Sequence, residues 1–89
     1  MDDMDLKNRL REFVTSNFYV ADPASLDAQA SLLELGIIDS TGVLEVIAFI
    51  EESFDISVDD AEMLPENLDS IERIAAFVTR KREAAAATA

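Results

Sequence analysis

The chain contains no cysteine and no histidine. Without cysteine there are no disulfides, and no protein thiol is available for chemistry. Without either residue, Cys–His and Ser–His nucleophile pairs and histidine-based metal sites cannot be assembled. Basic residues are scarce and placed at the two ends, as Lys7, Arg9 and Arg11, then Arg73, Arg80, Lys81 and Arg82. From Glu12 to Glu72 there is no lysine or arginine, while the same stretch holds fifteen Asp or Glu. The formal charge of the whole chain is −12. Such a charge repels nucleic acid and anionic lipid, and attracts proteins with basic patches. It also predicts repulsion within the acidic middle that added salt will screen. No apolar run is long enough to span a membrane. Residues 1–5 are acidic and read as neither a signal peptide nor a transit peptide, so the expected location is cytoplasmic.

What is present is helical. The apolar fraction of 49% argues against a disordered acidic chain. Eighty-nine residues make one domain with a modest core. Leu6, Leu10, Phe13, Val14 and Asn17 share a face at helical spacing, which predicts a helix over residues 3–18. Val43, Val46, Ile47, Ile50 and Phe54 form the stripe of a second helix, over residues 40–53. Ile71, Ile74, Ala75 and Val78, bordered by Phe77, mark a third, with Asn67, Asp69 and Ser70 as possible caps and Arg80–Arg82 in its final turn. A short helical segment is expected over Val58–Leu64, capped by Ser57 and followed by a loop at Pro65-Glu66-Asn67. The long connection from Tyr19 to Ser31 has a turn signal at Asp22-Pro23. Leu26, Leu32, Leu33 and Leu35 are expected to tack it to the core, with a turn over Ser31–Leu35 ended by Gly36. No strand pattern and no internal repeat is found. The reading is an all-α chain of three main helices and one short one, with the domain at 1–83 and an Ala-rich disordered tail at 84–89.

The organising stretch is Gly36-Ile37-Ile38-Asp39-Ser40-Thr41-Gly42. Asp39 and Ser40 are both good N-caps for the second helix, which puts Ser40 where a loop meets a helix N-terminus. Its hydroxyl is expected to face solvent. An anionic group attached there would lie beside free backbone N–H groups and the positive end of the helix dipole. Leu33-Glu34-Leu35-Gly36-Ile37-Ile38-Asp39-Ser40 resembles the attachment site of acyl carrier proteins and related peptidyl, aminoacyl and D-alanyl carriers. The resemblance continues through Glu45, through Glu51-Glu52-Ser53-Phe54-Asp55-Ile56, and on to Ile74-Ala75-Ala76-Phe77-Val78.

The resemblance implies a four-helix bundle of the acyl-carrier-protein type. It implies that Ser40, preceded by Asp39, carries a covalent 4'-phosphopantetheine derived from coenzyme A. The arm would supply the thiol that the chain lacks, so that an acyl or aminoacyl group rides as a thioester. The chain would be a non-catalytic monomeric carrier in fatty-acid-like, polyketide, nonribosomal or other specialised biosynthesis. Implied partners are a phosphopantetheinyl transferase, an acyl- or aminoacyl-loading ligase, and downstream synthases or transferases with basic patches. Thr41, Leu44, Glu45, Ala48 and Glu52 lie on a separate face of the second helix and are the candidate partner-recognition residues. Two residues separate Gly36 from Asp39, and Thr41-Gly42 follows Ser40. The first spacing looks more like D-alanyl and some aminoacyl or specialised carriers, and Thr41-Gly42 stands where the main fatty-acid carrier usually has Leu-Asp.

Other chemistries fit less well. Nothing matches Gly-x-Ser-x-Gly around Ser40, and no histidine exists to take its proton. Asp55, Ser57, Asp59 and Glu66 mimic the spacing of a calcium loop, but Asp60 stands where the sharp turn needs glycine. No metal site is therefore expected. The remaining alternative is an acidic helical adaptor that binds basic partners without a prosthetic group.

Overall fold

The computed structural model describes residues 3–88. Four α-helices follow in order: α1 (Asp3–Asn17), α2 (Ser40–Phe54), α3 (Pro65–Leu68) and α4 (Ile71–Thr88). Single 3-10 turns lie at Pro23–Ser25 and Asp60–Glu62, and no strand occurs among the described residues. The helix α4 packs against each of the other three. Leu6, Leu10 and Val14 of α1, Val46, Ile47, Ile50 and Phe54 of α2, and Ile71, Ile74, Ala75, Phe77 and Val78 of α4 are buried together. The stripes read from helical spacing are thus the core, with three exceptions: Phe13, which is only partly buried, Asn17 and Val43. Asn17 is exposed, its side-chain amide donating back to the Phe13 carbonyl (2.9 Å). Val43 is only half-buried. Phe49 joins the core from the edge of α2 by stacking on Phe13, with centroids 4.1 Å apart.

The connections depart more from the expected pattern. Of the leucines expected to hold the first connection, Leu26 and Leu32 are buried, but Leu33 and Leu35 are 39% and 58% exposed. The cause is local. Residues 31–36 form a tight turn, with Leu35 N donating to the Ser31 carbonyl (3.1 Å) and Gly36 N to that of Leu33 (3.1 Å). Successive side chains of such a turn diverge, and of the three leucines only Leu32 meets the core. Gly36 sits at φ +72°, where L side chains are strained.

After α2 the chain leaves through Asp55 at φ 55° and runs to Asp59 without helix or strand. Glu51 accepts a hydrogen bond from Val58 N (2.9 Å), which ties this run to α2. The expected segment over Val58–Leu64 is therefore reduced to one 3-10 turn. It is capped at Asp59 and not at Ser57, with Asp59 N donating to Glu62 Oε1 (3.0 Å). Pro65-Glu66-Asn67, expected as a loop, is instead the start of α3. Proline suits the first position of a helix, where its missing N–H costs nothing. Ser70 caps α4 by accepting from Arg73 N (3.0 Å). The helix then runs past Arg80–Arg82 to Thr88, so these cations are not in the last turn. Alanine has the highest helix propensity, and nothing in Ala84–Thr88 stops the helix. Ala89, the end of the expected tail, lies outside the described residues.

The cations of α4 hold the α3 region in place. Arg80 donates to Asn67 Oδ1 (3.0 Å), and Lys81 pairs with Glu62 (2.8 Å). The Lys81 ammonium and the Asp59 N–H hold the Glu62 carboxyl below the usual carboxylate range. A depressed folded-state value means that this contribution to stability is present above the ordinary carboxylate range. It is lost as pH falls through the depressed value. The pair is partly exposed and accordingly weak.

The cations of α1 make one local ion pair and two contacts to other parts of the chain. Lys7 pairs with Asp3 (3.0 Å), Arg9 lies 5.0 Å above the Phe54 ring, and Arg11 donates to the Leu26 carbonyl. With the basic residues engaged in this way, repulsion in the acidic middle is expected to dominate the response to salt. The melting midpoint should rise from low to moderate ionic strength, as the screening length shrinks to about 10 Å at 0.1 M. A flat or falling midpoint in thermal unfolding would show that ion pairs outweigh the repulsion.

Candidate functional site

The site is built at the start of α2. Asp39 is the N-cap, in extended conformation at φ −110° and ψ −171°. Its Oδ1 accepts from Gly42 N (2.8 Å), and its carbonyl accepts the first intrahelical bond from Val43 N (3.0 Å). Ser40 is the first helical residue and is exposed. The N–H groups of Ser40 and Thr41 are the first two of the helix and have no intrahelical acceptor. The partial positive charge of the helix end is therefore concentrated beside the Ser40 hydroxyl. Asp39 thus serves Ser40 by fixing the turn, its carboxylate directed at Gly42 N.

Gly42 has a steric reason to be glycine. A Cβ there would lie 3.0 Å from both Ile38 Cγ2 and Phe18 Cε1. Without one, the first turn of α2 sits close on Ile38, which is buried and leads directly into Asp39 and Ser40.

Beside Ser40 lies an apolar groove of about 320 Å³. Val43 and Leu44 of α2 form one wall, Met63 to Pro65 and Leu68 the opposite one, and Leu32 and Ile38 the floor. Asp69 is the one ionisable residue in its lining. Half-burial of Val43 follows from this position, since the groove stands between it and α3.

Asp39 and Ser40, the two residues singled out for a prosthetic group, are adjacent at the helix entrance. The five candidate recognition residues, Thr41, Leu44, Glu45, Ala48 and Glu52, are all on α2 and all exposed. Leu44 is 57% exposed and belongs both to this face and to the groove rim. The sequence reading missed the groove, because its walls come from three separate stretches of chain. It also missed the role of Asp69, which had seemed only a possible helix cap. Among the described residues, no three acidic side chains gather in a way that would hold a metal ion.

The chain has counterparts among known proteins. The family model described as "Phosphopantetheine attachment site" matches residues 8–78. The chain belongs to this carrier-protein family. A curated relative of the carrier is the probable acyl carrier protein PigG of Serratia sp. (strain ATCC 39006). It is 27% identical over 75 residues, covering 84% of the carrier and 86% of PigG. A solved structure of KstB-PCP in its apo form is similar with a TM-score of 0.72 and 40% identity. That match covers 89% of the carrier and 88% of KstB-PCP. The carrier therefore has the all-α acyl-carrier-protein fold, and its prosthetic group is a covalently attached 4'-phosphopantetheine. It is not an enzyme; it works with a phosphopantetheinyl transferase and with biosynthetic enzymes. No helix among the described residues is long and apolar enough to cross a membrane.

Proposed function

We propose that Ser40 is the attachment residue, and that the carrier presents an acyl or aminoacyl group to enzymes of a specialised biosynthetic route in the cytoplasm. One observation carries the assignment: Ser40, a residue with a hydroxyl side chain, is exposed at the first position of α2. The residues present fit the group. A phosphodiester on Ser40 would have the open N–H groups of Ser40 and Thr41 within the same helix end. Asp39, turned towards Gly42 N, holds that end rigid. Leu44 and the opposite wall of the groove offer apolar surface beside the point of attachment. When bound, the group supplies a thiol on a flexible arm. The folded carrier domain is taken as residues 1–83, with the Ala-rich end dispensable for loading. Peptide mass mapping after incubation with a phosphopantetheinyl transferase and coenzyme A tests the assignment. The added group should map to the peptide containing Ser40, and its appearance on another serine would rule Ser40 out.

The exposed face of Thr41, Leu44, Glu45, Ala48 and Glu52 is proposed as the docking surface for the transferase, the loading ligase and the downstream enzymes. Small and apolar side chains permit close approach, while Glu45 and Glu52 steer basic patches towards it. Charge reversal by Glu45→Lys or Glu52→Lys should slow modification mainly through the association rate. The wild-type rate should fall as salt is added. A rate indifferent to both would exclude electrostatic docking at this face.

A further inference from the structure

Asp69 ends α3 and lines the groove beside Ser40. It is half-buried and makes more directional contacts than a helix cap requires. Its Oδ2 accepts from Ser31 Oγ (2.5 Å), and its Oδ1 from Leu33 N (2.9 Å). Its carbonyl accepts from Leu32 N (2.7 Å), and its own N–H donates to the Pro65 carbonyl (2.9 Å). One residue thus joins the 31–33 turn to the C-terminus of α3. The linkage continues towards Ser40. The Leu32 carbonyl accepts from both Ile37 N (3.0 Å) and Ile38 N (3.3 Å), and Ile38 is bonded to the N-cap Asp39. Ser31 Oγ meanwhile accepts from Glu34 N (3.1 Å), closing the same turn.

We propose that Asp69 is a positioning residue for Ser40: it latches the Ser31–Ile38 turn to α3 and so fixes how the entrance of α2 is presented to a modifying enzyme. The proposal rests on Ser40 as the attachment residue. The physical case is one of directionality and reach. At the entrance of α2, Ile38 and Gly42 are buried and Ile37 and Val43 half-buried, while Asp39, Ser40 and Thr41 are exposed, so packing seats one side of it. The hydrogen bonds of the segment before it run to the Leu32 carbonyl, and the turn that carries Leu32 is held in place by Asp69. Hydrogen bonds to an ionised carboxylate are the strong ones, so their loss frees the turn to open. An open turn leaves α2 intact but lowers the fraction of molecules that present Ser40 correctly. Apparent affinity for an enzyme falls in proportion to that fraction.

The experiment pairs amide exchange with modification kinetics on the full chain, using coenzyme A and a phosphopantetheinyl transferase. Compared are wild type, Asp69→Ala, Asp69→Asn and Ser31→Ala, the last removing one arm of the latch from the other side. In Asp69→Ala, exchange at Leu33 should quicken about tenfold or more, the factor expected for losing a hydrogen bond to a charged acceptor, and exchange at Ile37 and Ile38, whose acceptor is the Leu32 carbonyl, should quicken with it as the turn opens. Exchange at Ile50 in α2 and Ile74 in α4 should be unchanged. KM for the carrier should rise several-fold with kcat nearly constant, and Asp69→Asn, which keeps an acceptor for Leu33 N, should recover part of both effects. Ser31→Ala should show the same pattern more weakly. The proposal is overturned if Ile37 and Ile38 exchange as in wild type in both alanine variants, or if all amides quicken alike. Fast local exchange with an unaltered KM would overturn it as well. A wild-type chain that accepts no group at Ser40 is a separate result, and refutes the attachment assignment itself.

Discussion

Ile50→Ala is expected to lower the stability of the carrier by about 2–5 kcal/mol. The Ile50 side chain is fully buried, on the face of α2 turned to the core. Removing its side chain beyond Cβ forfeits the transfer energy of those carbons and leaves a cavity in the core that collapses only in part. Phe54→Ala should fall in the same range for a different mixture of reasons. Phe54 is buried, meets Phe49 edge-on with centroids 6.0 Å apart, and lies under Arg9. Its loss removes area, an aromatic contact and a cation–π contact together. Domains of this kind have about 5–15 kcal/mol in total, so either change takes a large part of it. Thermal unfolding should show a fall in midpoint on the order of 10–30 °C. Ile50→Val serves as the control, at about 0.5–1.5 kcal/mol. Unchanged midpoints in both alanine variants would mean that the stripe is not the core.

That stripe was readable because a helix repeats its environment every three to four residues. Apolar side chains at helical spacing share one side of the helix, as Val46, Ile47, Ile50 and Phe54 do, and the same holds for Leu6, Leu10 and Val14 and for Ile71, Ile74 and Val78. The connections have no such repetition. Leu32, Leu33 and Leu35 look alike in sequence, and their fates are decided by the turn over residues 31–36. That turn depends in turn on Asp69, a residue 38 positions from its partner Ser31. The α3 helix was unreadable for a related reason. Four residues are too few to show a period, and Pro65 signals a helix start as well as a loop. At the site, the exposure of Ser40 was legible from nearest neighbours, and the cap was narrowed to Asp39 or Ser40, of which the structure selects Asp39. The groove beside it is not, because Val43, Met63 and Ile38 meet only when the bundle closes.

Ser40→Ala carries the other large effect, which is all or none. Removing the hydroxyl removes the nucleophilic oxygen to which a phosphopantetheinyl group would be joined, and no neighbouring residue can replace it. Thr41, one position on, has a hydroxyl, but it starts a different direction around the helix by roughly 100° at 3.6 residues per turn. Stability should scarcely change. Ser40 is exposed, Asp39 and not Ser40 is the cap, and alanine is the residue best suited to a helix. Far-ultraviolet dichroism and the melting midpoint of Ser40→Ala should match wild type, so that any loss of loading belongs to the site and not to the fold.

Intact mass spectrometry, after exposure of wild type and Ser40→Ala to a phosphopantetheinyl transferase and coenzyme A, is the most direct test of that assignment. The expected result is one added phosphopantetheinyl group on every wild-type molecule at completion, and none on the folded variant. A folded Ser40→Ala chain that still gains the group would contradict Ser40 as the point of attachment.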